Sequence, residues 1–367
     1  MTLDELPTPC LVLDRAILQR NLDTMARALA RHNVPLRPHL KTAKSIDVAR
    51  MATKGQPGGI TVSTIAEAEY FVGYRITDIL YAAGITPQKL DRIAVLNGHG
   101  ADVKVITDDI EMAGIIALHN TPPRTLIEID TGEHRGGISP DGPELMEIAR
   151  RLGPALTGVM THAGHSYAGR TVADMAAFAE TERAGITRAA ARLREAGFAV
   201  SIVSMGSSPT ALHAANLHSV TEVRAGVYMF GDLFQAEINT HGLDDIAVTV
   251  LTSVIGRRPA EGKILVDAGG MALSKDRSTD STPKDYGFGL VLDIDGQRSL
   301  GDANVQRAYQ EHGVIACDPA HAIDLPIGGK LRIAPNHTCM TVAAHDRYYV
   351  VDGSDDVIAI WPRINGW

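Results

Sequence analysis

The sequence predicts a mixed α/β chain, with an N-terminal (β/α)8 TIM barrel followed by a C-terminal antiparallel β domain. Over about two-thirds of the 367 residues, eight short apolar runs alternate with seven helix-like segments. Strict alternation of strands and helices predicts a parallel sheet, and near-continuous apolar runs are typical of strands that are buried on both faces. Eight such units fit a closed barrel better than an open sheet.

The barrel elements follow one another in order along the chain. Apolar residues at helical spacing predict a first helix over residues 16–32. Helix-like segments such as 66–72, 143–152 and 172–196 separate the predicted strands. Those strands are 35–41, 59–63, 78–83, 102–107, 125–130, 156–161, 199–205 and 221–229.

After residue 246 the pattern changes to short apolar strands separated by turns rich in Gly, Pro and Asp, which predicts an antiparallel β domain. We assign residues 15–240 to the barrel and residues 1–14 plus 241–367 to the β domain, because the run 9–13 is a further apolar strand. The polar stretch 274–286 predicts a mobile surface loop. The other predicted strands are 247–255, 263–267, 287–292, 330–333 and 348–351.

Composition narrows the class of protein. Apolar residues are 45% and charged residues 21% of the chain, a balance typical of a soluble globular protein. A formal net charge of −8 offers no basic face, so we expect no nucleic-acid partner. We find no apolar run long enough for a membrane span and no signal-peptide pattern. Three widely spaced cysteines form no disulfide framework, so we expect a cytoplasmic protein.

A lysine follows the first predicted barrel strand. Lys41 lies at the carboxyl end of that strand, where the active sites of barrel enzymes are built. The pKa of a lysine falls readily on desolvation, which suits an amine that forms a Schiff base with a carbonyl group. The alternative is that Lys41 is a solvated loop residue, so other residues must support the catalytic interpretation.

Polar loops that contain glycine follow the fifth to eighth predicted strands. The segment Gly206-Ser207-Ser208 precedes a short helix, and its backbone N–H groups and hydroxyls are typical of a phosphate site. Phosphate sites in barrels frequently follow strands seven and eight. Together with Lys41, these loops favour a carbonyl cofactor that carries a phosphate, which describes pyridoxal 5′-phosphate (PLP). A sugar-phosphate enzyme that uses Lys41 only as a charge is the alternative.

His337 and Cys339 stand two positions apart in a predicted strand end, so period-two alternation predicts that both side chains lie on one face. Imidazole and thiolate are ligands that zinc prefers. Two protein ligands would leave open positions for water and substrate, as in a catalytic metal site. The alternative is that Cys339 packs in the core and His337 lies at the surface.

The chain resembles the alanine racemase-like, or fold-type III, PLP enzymes, and within them the D-serine dehydratase / D-threonine aldolase family. The resemblance runs almost from end to end. The segments that carry it are 37–42 (RPHLKT), 62–69 (VSTIAEAE), 130–132 (DTG) with Arg135, 161–167 (THAGHSY), 224–228 (RAGVY), 267–269 (DAG), 310–313 (QEHG) and 335–339 (PNHTC).

The resemblance implies a role for each matching residue. Lys41 would bind PLP covalently and then act as the base toward the α-proton, while His162 would stack on the pyridine ring. Arg135 would lie near the phenolic oxygen and Arg224 would face the pyridine nitrogen. The remaining cofactor-binding residues, chiefly phosphate ligands, would be Tyr167, Gly206, Ser207, Ser208, Gly226, Val227 and Tyr228.

The resemblance also implies a metal, a reaction and a homodimer. His337 and Cys339 would bind a divalent metal, and the cysteine favours Zn²⁺ and a dehydratase, whereas aldolases of the family place Asp there and use Mn²⁺ or Mg²⁺. The expected reaction eliminates water from a small 3-hydroxy D-amino acid, D-threo-3-hydroxyaspartate or D-serine, to give a 2-oxo acid and ammonia. Retro-aldol cleavage to glycine and an aldehyde, racemisation, and a non-catalytic PLP carrier are the alternatives.

Some residues near these motifs stay without a predicted role. His39 and His165 flank the proposed PLP site, and His312 lies in the β domain. A 3-hydroxyaspartate substrate would require a cation for its second carboxylate. The candidates for that cation are Lys44, Arg170 and Lys275.

Overall fold

The structure is a computed structural model that describes residues 1–367, except for the side chains of residues 322 and 323. The chain forms two compact units. The first, here called the barrel unit, contains Thr24–Gly226 and Gly366–Trp367. The second, the β unit, contains Met1–Asp23 and Val227–Asn365. The domain bounds assigned from the sequence stay a prediction.

The strands are named β1 to β17 in chain order. Their bounds are β1 Cys10–Asp14, β2 Leu36–Pro38, β3 Ile60–Val62, β4 Asp78–Gly84, β5 Asp102–Thr107, β6 Thr125–Glu128, β7 Leu156–Met160, β8 Ile202–Met205, β9 Glu222–Ala225, β10 Val248–Arg258, β11 Lys263–Val266, β12 Leu290–Leu292, β13 Asn304–Ala308, β14 Gly313–Ala316, β15 Lys330–Ala334, β16 Arg347–Val351 and β17 Ala359–Pro362.

The α-helices are named α1 to α12. Their bounds are α1 Arg15–Ala30, α2 Ile46–Thr53, α3 Ile65–Gly73, α4 Pro87–Gly98, α5 Ile110–Leu118, α6 Glu144–Leu152, α7 Val172–Glu195, α8 Ser208–His213, α9 Leu233–Glu237, α10 Gly270–Leu273, α11 Pro319–Asp324 and α12 Thr338–Val342. None of the helices in the described part of the chain combines the length and apolar character that crossing a membrane requires.

The barrel unit is a closed ring of parallel strands. Its sheet runs β2-β9-β8-β7-β6-β5-β4-β3, and each neighbouring pair is parallel. A parallel bridge between His39 and Thr61 joins the two ends of this order. Helices α2 to α8 connect successive strands, as βα units require. The predicted (β/α)8 barrel is confirmed.

The first and eighth barrel strands are shorter than the sequence predicts. Strand β9 ends at Ala225, and Val227–Met229 form a 3-10 helix in which the Val227 carbonyl accepts from the N–H groups of Phe230 and Gly231. These residues are as apolar as the strand before them. Apolar character therefore does not distinguish the last ladder residue from the first residue of the turn.

The β unit contains a second, mostly antiparallel sheet. Strands β10, β11, β14, β13, β12 and β15 pair in a ring, because β10 pairs with both β11 and β15. Strand β1 adds to β10 in antiparallel orientation, and β16 pairs with β1 in parallel, which differs from a purely antiparallel prediction. The sequence analysis missed β13, β14 and β17, and exposed residues interrupt the apolar pattern of β13 and β17.

Each unit has its own hydrophobic core. In the barrel unit, Leu80, Ile106, Leu126 and Met160 form a buried cluster from four successive strands. In the β unit, a buried cluster joins the N-terminal residues to the sheet, with Leu3, Val12, Leu251 and Val351 among its members. The candidate site residues lie on the elements that surround these two cores.

Candidate active site

Lys41 lies just beyond the closure of the barrel. Leu40 and Thr42 on either side are fully buried, whereas Lys41 is exposed. Its backbone N–H donates to His39 Nδ1 at 3.4 Å, and its cation lowers the pKa values of His39 and His162. The turn therefore presents the amine of Lys41 close to two imidazoles at the carboxyl end of the first barrel strand.

His162 is neutral and has a defined tautomer. Burial, assisted by the charges of Lys41, Arg224 and Arg135, lowers its pKa to about 3. Its Nδ1 lies 3.0 Å from the Gly206 carbonyl oxygen. Because a carbonyl can only accept, Nδ1 carries the proton and Nε2 does not. A neutral ring of this kind suits the predicted stacking on a pyridine, which itself stays a prediction.

Arg224 is a buried and fixed cation at the end of β9. Its two terminal nitrogens donate at 2.6 Å to Ser204 Oγ and at 2.6 Å to the Thr161 carbonyl oxygen. Ser204 Oγ donates in turn to Glu222 Oε1 at 2.7 Å. Burial lowers the pKa of Arg224, while Glu222, Glu182 and Glu128 oppose that shift, so the guanidinium stays charged.

Two glycines bring the barrel loops into close contact. Gly206 has φ +133°, and a Cβ there would lie 2.2 Å from the Arg224 carbonyl oxygen. At Gly226 a Cβ would lie 2.9 Å from the His39 carbonyl oxygen. Only glycine allows these approaches without a shift of the backbone. The two loops that the sequence assigns to phosphate binding therefore lie against Arg224 and His39.

The serines of the predicted phosphate loop are buried. Ser207 is the N-cap of α8, and its Oγ lies 2.9 Å from Ser166 Oγ. Ser208 is 1% exposed and begins α8. The Gly206 N–H donates to a carboxylate, described below, and not toward open space. Phosphate binding by these residues stays a prediction.

The remaining predicted cofactor residues divide between the two units. Arg135 is 61% exposed and pairs with Glu133 at 3.3 Å. Tyr167 is half-buried in a 3-10 helix, Gly164–Ala168, after β7. Val227 and Tyr228 are buried and belong to the β unit, directly after Gly226 in the chain. All other predicted PLP ligands belong to the barrel unit.

The sequence analysis missed Glu182 on α7. This side chain is completely buried, and its carboxylate accepts from the Gly206 N–H at 2.9 Å and from Thr210 Oγ1 at 2.8 Å. The Ala163 N–H also donates to it. A glutamate among apolar helix residues, at a position facing the barrel, is the sequence signal that could have indicated it.

The donor set of the barrel suits PLP. Lys41, Arg224 and Arg135 place positive charge around His162, which the protein keeps neutral. An aldehyde that carries a phosphate would supply both the carbonyl for the amine and the negative charge that offsets these cations. Lys41, His39, His162 and Arg224 are called the lysine site below.

The structure corrects the argument for His337 and Cys339, which are called the metal pair below. Strand β15 ends at Ala334, His337 is the N-cap of α12, and Cys339 lies in the first turn of that helix. The two side chains therefore do not share a strand face, and that prediction is wrong. They nevertheless form a side-chain hydrogen bond with each other. The Thr338 N–H, in the first turn of that helix, donates to Asp232 Oδ2 at 3.0 Å.

Asp276, which the sequence analysis also missed, contacts His337 of the metal pair. Its Oδ2 lies 3.3 Å from His337 Nδ1. Burial opposes protonation of His337, but Asp276 and Cys339 outweigh it and raise the pKa of His337 to about 11. Negative groups thus lie next to one imidazole, and imidazole with thiolate is a ligand pair that suits a divalent cation. The described residues include no group of three or more His, Cys, Asp or Glu side chains that could hold a metal.

The loop that carries Asp276 lies at the surface, as the sequence predicts, since Lys275, Asp280 and Asp285 are exposed, and its mobility stays a prediction. Thr279 is fully buried and donates to Asn336 Oδ1 at 3.0 Å. Asn336 Nδ2 donates to the carbonyl oxygens of Asp276 and Gly287. The polar side chains that suggested solvent exposure are used to attach the loop to the segment before His337.

The three candidate cations for a second substrate carboxylate have protein partners. Lys44 pairs with Glu67 at 3.2 Å, Arg170 donates to the Tyr167 carbonyl oxygen at 3.1 Å, and Lys275 donates to the Ala308 carbonyl oxygen. Among the unassigned histidines, His165 packs edge-to-face on Phe178, and His312 is exposed.

Two family profiles match this chain, one over its N-terminal part and one over its C-terminal part. A family profile described as the alanine racemase N-terminal domain matches residues 13–233, and one described as a serine dehydratase domain matches residues 247–351. The chain belongs to the alanine racemase-like family. Its homologues are dehydratases and aldolases, which are PLP-dependent lyases, and this chain is a lyase of that family. D-serine dehydratases are among its relatives.

Three relatives illustrate the range of the family. D-threo-3-hydroxyaspartate dehydratase of Delftia sp. strain HT23 is 42% identical over 100% of this chain and 99% of its own length. D-serine dehydratase of Dictyostelium discoideum is 29% identical over 100% of this chain and 98% of its own. 3-Hydroxy-D-aspartate aldolase of Paracoccus denitrificans is 29% identical over 98% of this chain and 92% of its own.

The solved structure of the Delftia dehydratase superposes with a TM-score of 0.96 at 41% identity, and the match covers 100% of both chains. Structures of two variants of that enzyme also match, one with a histidine replaced by alanine and one with a cysteine replaced two positions later. The cysteine variant is described as the metal-free form. His337 and Cys339 have the same spacing in this chain.

Proposed function

We propose that this lyase is a PLP- and metal-dependent dehydratase. It removes water from a 3-hydroxy D-amino acid, D-threo-3-hydroxyaspartate or D-serine, and releases a 2-oxo acid and ammonia. The observation that carries the proposal is 42% identity over the whole chain to a D-threo-3-hydroxyaspartate dehydratase. His337 and Cys339 support it, because their spacing equals that of the residues replaced in the dehydratase variants.

In this proposal residues of the barrel unit, with Val227 and Tyr228 of the β unit, hold PLP. Lys41 would hold PLP through its amine, and the neutral ring of His162 would stack on the pyridine. Arg224 would face the pyridine nitrogen and Arg135 the phenolic oxygen, while the loops at 206–208 and 226–228 with Tyr167 would hold the phosphate. When bound, PLP supplies an electron sink for the α-carbanion, and a divalent metal, Zn²⁺ by preference, supplies a Lewis acid for the β-hydroxyl.

The chain's own residues move the protons. Lys41 Nζ takes the proton from Cα on one face of the substrate, which restricts the reaction to one stereoisomer. Arg224 is fixed by Ser204 and by the Thr161 carbonyl, and an arginine retains its protons at neutral pH. It would therefore leave the pyridine nitrogen of bound PLP unprotonated, which would moderate the electron sink. His162 keeps its proton on Nδ1, which donates to the Gly206 carbonyl oxygen.

His337 and Cys339 bind the metal in this proposal. Cys339 offers a thiolate, and Asp276 orients His337 through Nδ1, which leaves Nε2 as the nitrogen for the metal. The substrate is a small molecule, and we propose a cytoplasmic homodimer, as the family resemblance implies.

Aldol cleavage is the second candidate, because a 3-hydroxy-D-aspartate aldolase matches 98% of this chain. That reaction removes a proton from the β-hydroxyl and breaks Cα–Cβ, whereas dehydration breaks Cα–H and Cβ–O. Both use the same cofactor and metal, so the products distinguish them. Cys339, at the position where aldolases of the family carry Asp, favours dehydration. A non-catalytic carrier would not require the serine dehydratase domain at 247–351.

The test is a product assay on the purified protein supplied with PLP and zinc. D-Serine, D-threonine and D-threo-3-hydroxyaspartate are given separately, with the L-isomers as controls. We expect a 2-oxo acid and ammonia from a D-substrate and nothing from its L-isomer. Glycine with an aldehyde would make the protein an aldolase, and a protein that binds no PLP would overturn the proposal altogether.

A further inference from the structure

We propose that Glu182 is a positioning residue of the PLP site, which sets the backbone and the tautomer of His162 and orders the loop at 206–210. The inference rests on the proposed function, because it concerns the same site. Glu182 lies on α7 of the barrel unit and does not belong to any predicted motif. No part of the reaction uses it directly, so its effect would pass through the residues that it holds.

The first argument is the set of donors that converge on Glu182. Its Oε1 accepts from the Gly206 N–H at 2.9 Å, and its Oε2 accepts from Thr210 Oγ1 at 2.8 Å. The Ala163 N–H donates to the same carboxylate. These donors come from the loop after β7, the loop after β8 and helix α8. One carboxylate therefore connects three segments at the end of the barrel where Lys41 lies.

The second argument is that two of these bonds hold groups that are themselves joined to His162. The Ala163 N–H belongs to the peptide that follows His162, so Glu182 fixes the backbone that carries the ring. The Gly206 N–H is held by Glu182, while the Gly206 carbonyl accepts from His162 Nδ1 at 3.0 Å. Holding Gly206 in place therefore keeps its carbonyl aimed at the ring and keeps the proton on Nδ1.

The third argument concerns the hydroxyl of Thr210. Because its hydrogen is directed to Glu182, its oxygen is left to accept, and the Ser207 N–H donates to it at 3.0 Å. Ser207 is the N-cap of α8 and contacts Ser166 through its hydroxyl at 2.9 Å. Glu182 thus orders the serine loop through Thr210.

The burial of Glu182 is unfavourable in itself, which argues for more than a structural role. A fully buried carboxylate is unfavourable unless hydrogen bonds and a nearby cation compensate it. Here burial raises its pKa to about 7, while the hydrogen bonds and the Arg224 charge oppose that shift. A glutamine or an apolar residue would fill the same space without this cost, but neither accepts three donors with two oxygens.

The test compares four variants. Glu182→Gln keeps the size of the side chain but replaces one accepting oxygen with a donor. Thr210→Val removes the hydroxyl, whereas Thr210→Ser retains one. Glu195→Gln changes an exposed glutamate on the same helix and is the matched control. The readouts are the dissociation constant of PLP from titration of the apoprotein, and nitrogen-15 histidine spectra that report the tautomer of His162.

We expect Glu182→Gln and Thr210→Val to weaken PLP binding about tenfold or more, because each leaves a buried group without its partner. Glu182→Gln should also change the nitrogen-15 shifts of His162, whereas Thr210→Ser and Glu195→Gln should resemble the parent protein. Thermal unfolding of each apoprotein verifies that it folds. If Glu182→Gln does not fold, the PLP affinity of Thr210→Val tests the inference.

Two results would overturn the inference. One is a folded Glu182→Gln protein whose PLP affinity and His162 spectrum equal those of the parent. The other, where only Thr210→Val folds, is an unchanged affinity in that variant. A parent protein that binds no PLP would instead overturn the proposed function, and the inference with it, so the two failures are distinguishable.

Discussion

The lysine site of the barrel unit and the metal pair of the β unit shift the pKa of a histidine in opposite directions. In the barrel, burial and then the Lys41 cation lower the pKa of His162 to about 3. In the β unit, Asp276 and Cys339 overcome the effect of burial and raise the pKa of His337 to about 11. Burial opposes the charged form of both imidazoles, so the sign of the neighbouring charges makes the difference.

The comparison shows what each site lacks. Positive groups act on His162 in the lysine site, and negative groups act on His337 in the metal pair. An anionic cofactor would suit the first environment and a divalent cation would suit the second. The four predictions below test this contrast, beginning with the largest expected effect.

The amine of Lys41 carries the chemistry of the lysine site. Replacing it in Lys41→Ala should lower kcat/KM about 1000-fold or more, because the base and the bond to PLP are lost together. Borohydride should fix PLP to the parent protein but not to the variant. Lys54→Ala removes an exposed lysine and should retain full activity. Trapped PLP in Lys41→Ala would assign the attachment to another residue.

The thiol of Cys339 distinguishes the metal pair from a packed core residue. Cys339→Ser should lose bound zinc and lower kcat/KM about 100-fold, since loss of a ligand should exceed the effect of losing an outer partner. Zinc per chain is measured by mass spectrometry. The control is Cys317→Ser, at a half-buried cysteine. A variant that keeps both its zinc and its rate would mean that Cys339 is not a ligand.

Asp276 should affect metal binding as the hydrogen-bond partner of His337 and not as a ligand. Asp276→Asn removes the negative charge next to His337 Nδ1 and should weaken zinc binding about tenfold, as for other partners of metal-bound histidines. Competition with a chelator gives the zinc dissociation constant, and the exposed Asp280→Asn serves as the matched control. Equal constants in the two variants would contradict the role of Asp276.

The smallest effect is a pH dependence of the barrel. Between pH 6.5 and about 3 the unfolded chain protonates His162 while the folded barrel keeps it neutral, so the unfolded state binds more protons. Stability should therefore fall as the pH decreases through this range. His162→Gln, with an amide that can donate to Gly206, should show a shallower fall in urea midpoint than the exposed control His218→Gln. Parallel curves would exclude His162 as a source of this dependence.

The alternation of apolar runs and helical segments determined the fold class by itself. Strands buried on both faces have a continuous apolar pattern, and βα alternation leaves few topologies, so the eight-stranded barrel could be predicted from local order alone. The ends of its strands could not, since Val227–Met229 are as apolar as β9 but bond locally. In the β unit, β13 escaped prediction because Gln306 and Arg307 are exposed within it.

Residue types and spacing also indicated Lys41 and the His337–Cys339 pair, because a nucleophilic amine and soft metal ligands are recognisable in sequence. Only the tertiary structure revealed Glu182 and Asp276. Glu182 is distant in sequence from Ala163 and Gly206, and Asp276 is distant from His337, so no local pattern joins them. The packing of segments decides which carboxylate meets which donor, and with it the charge of each histidine.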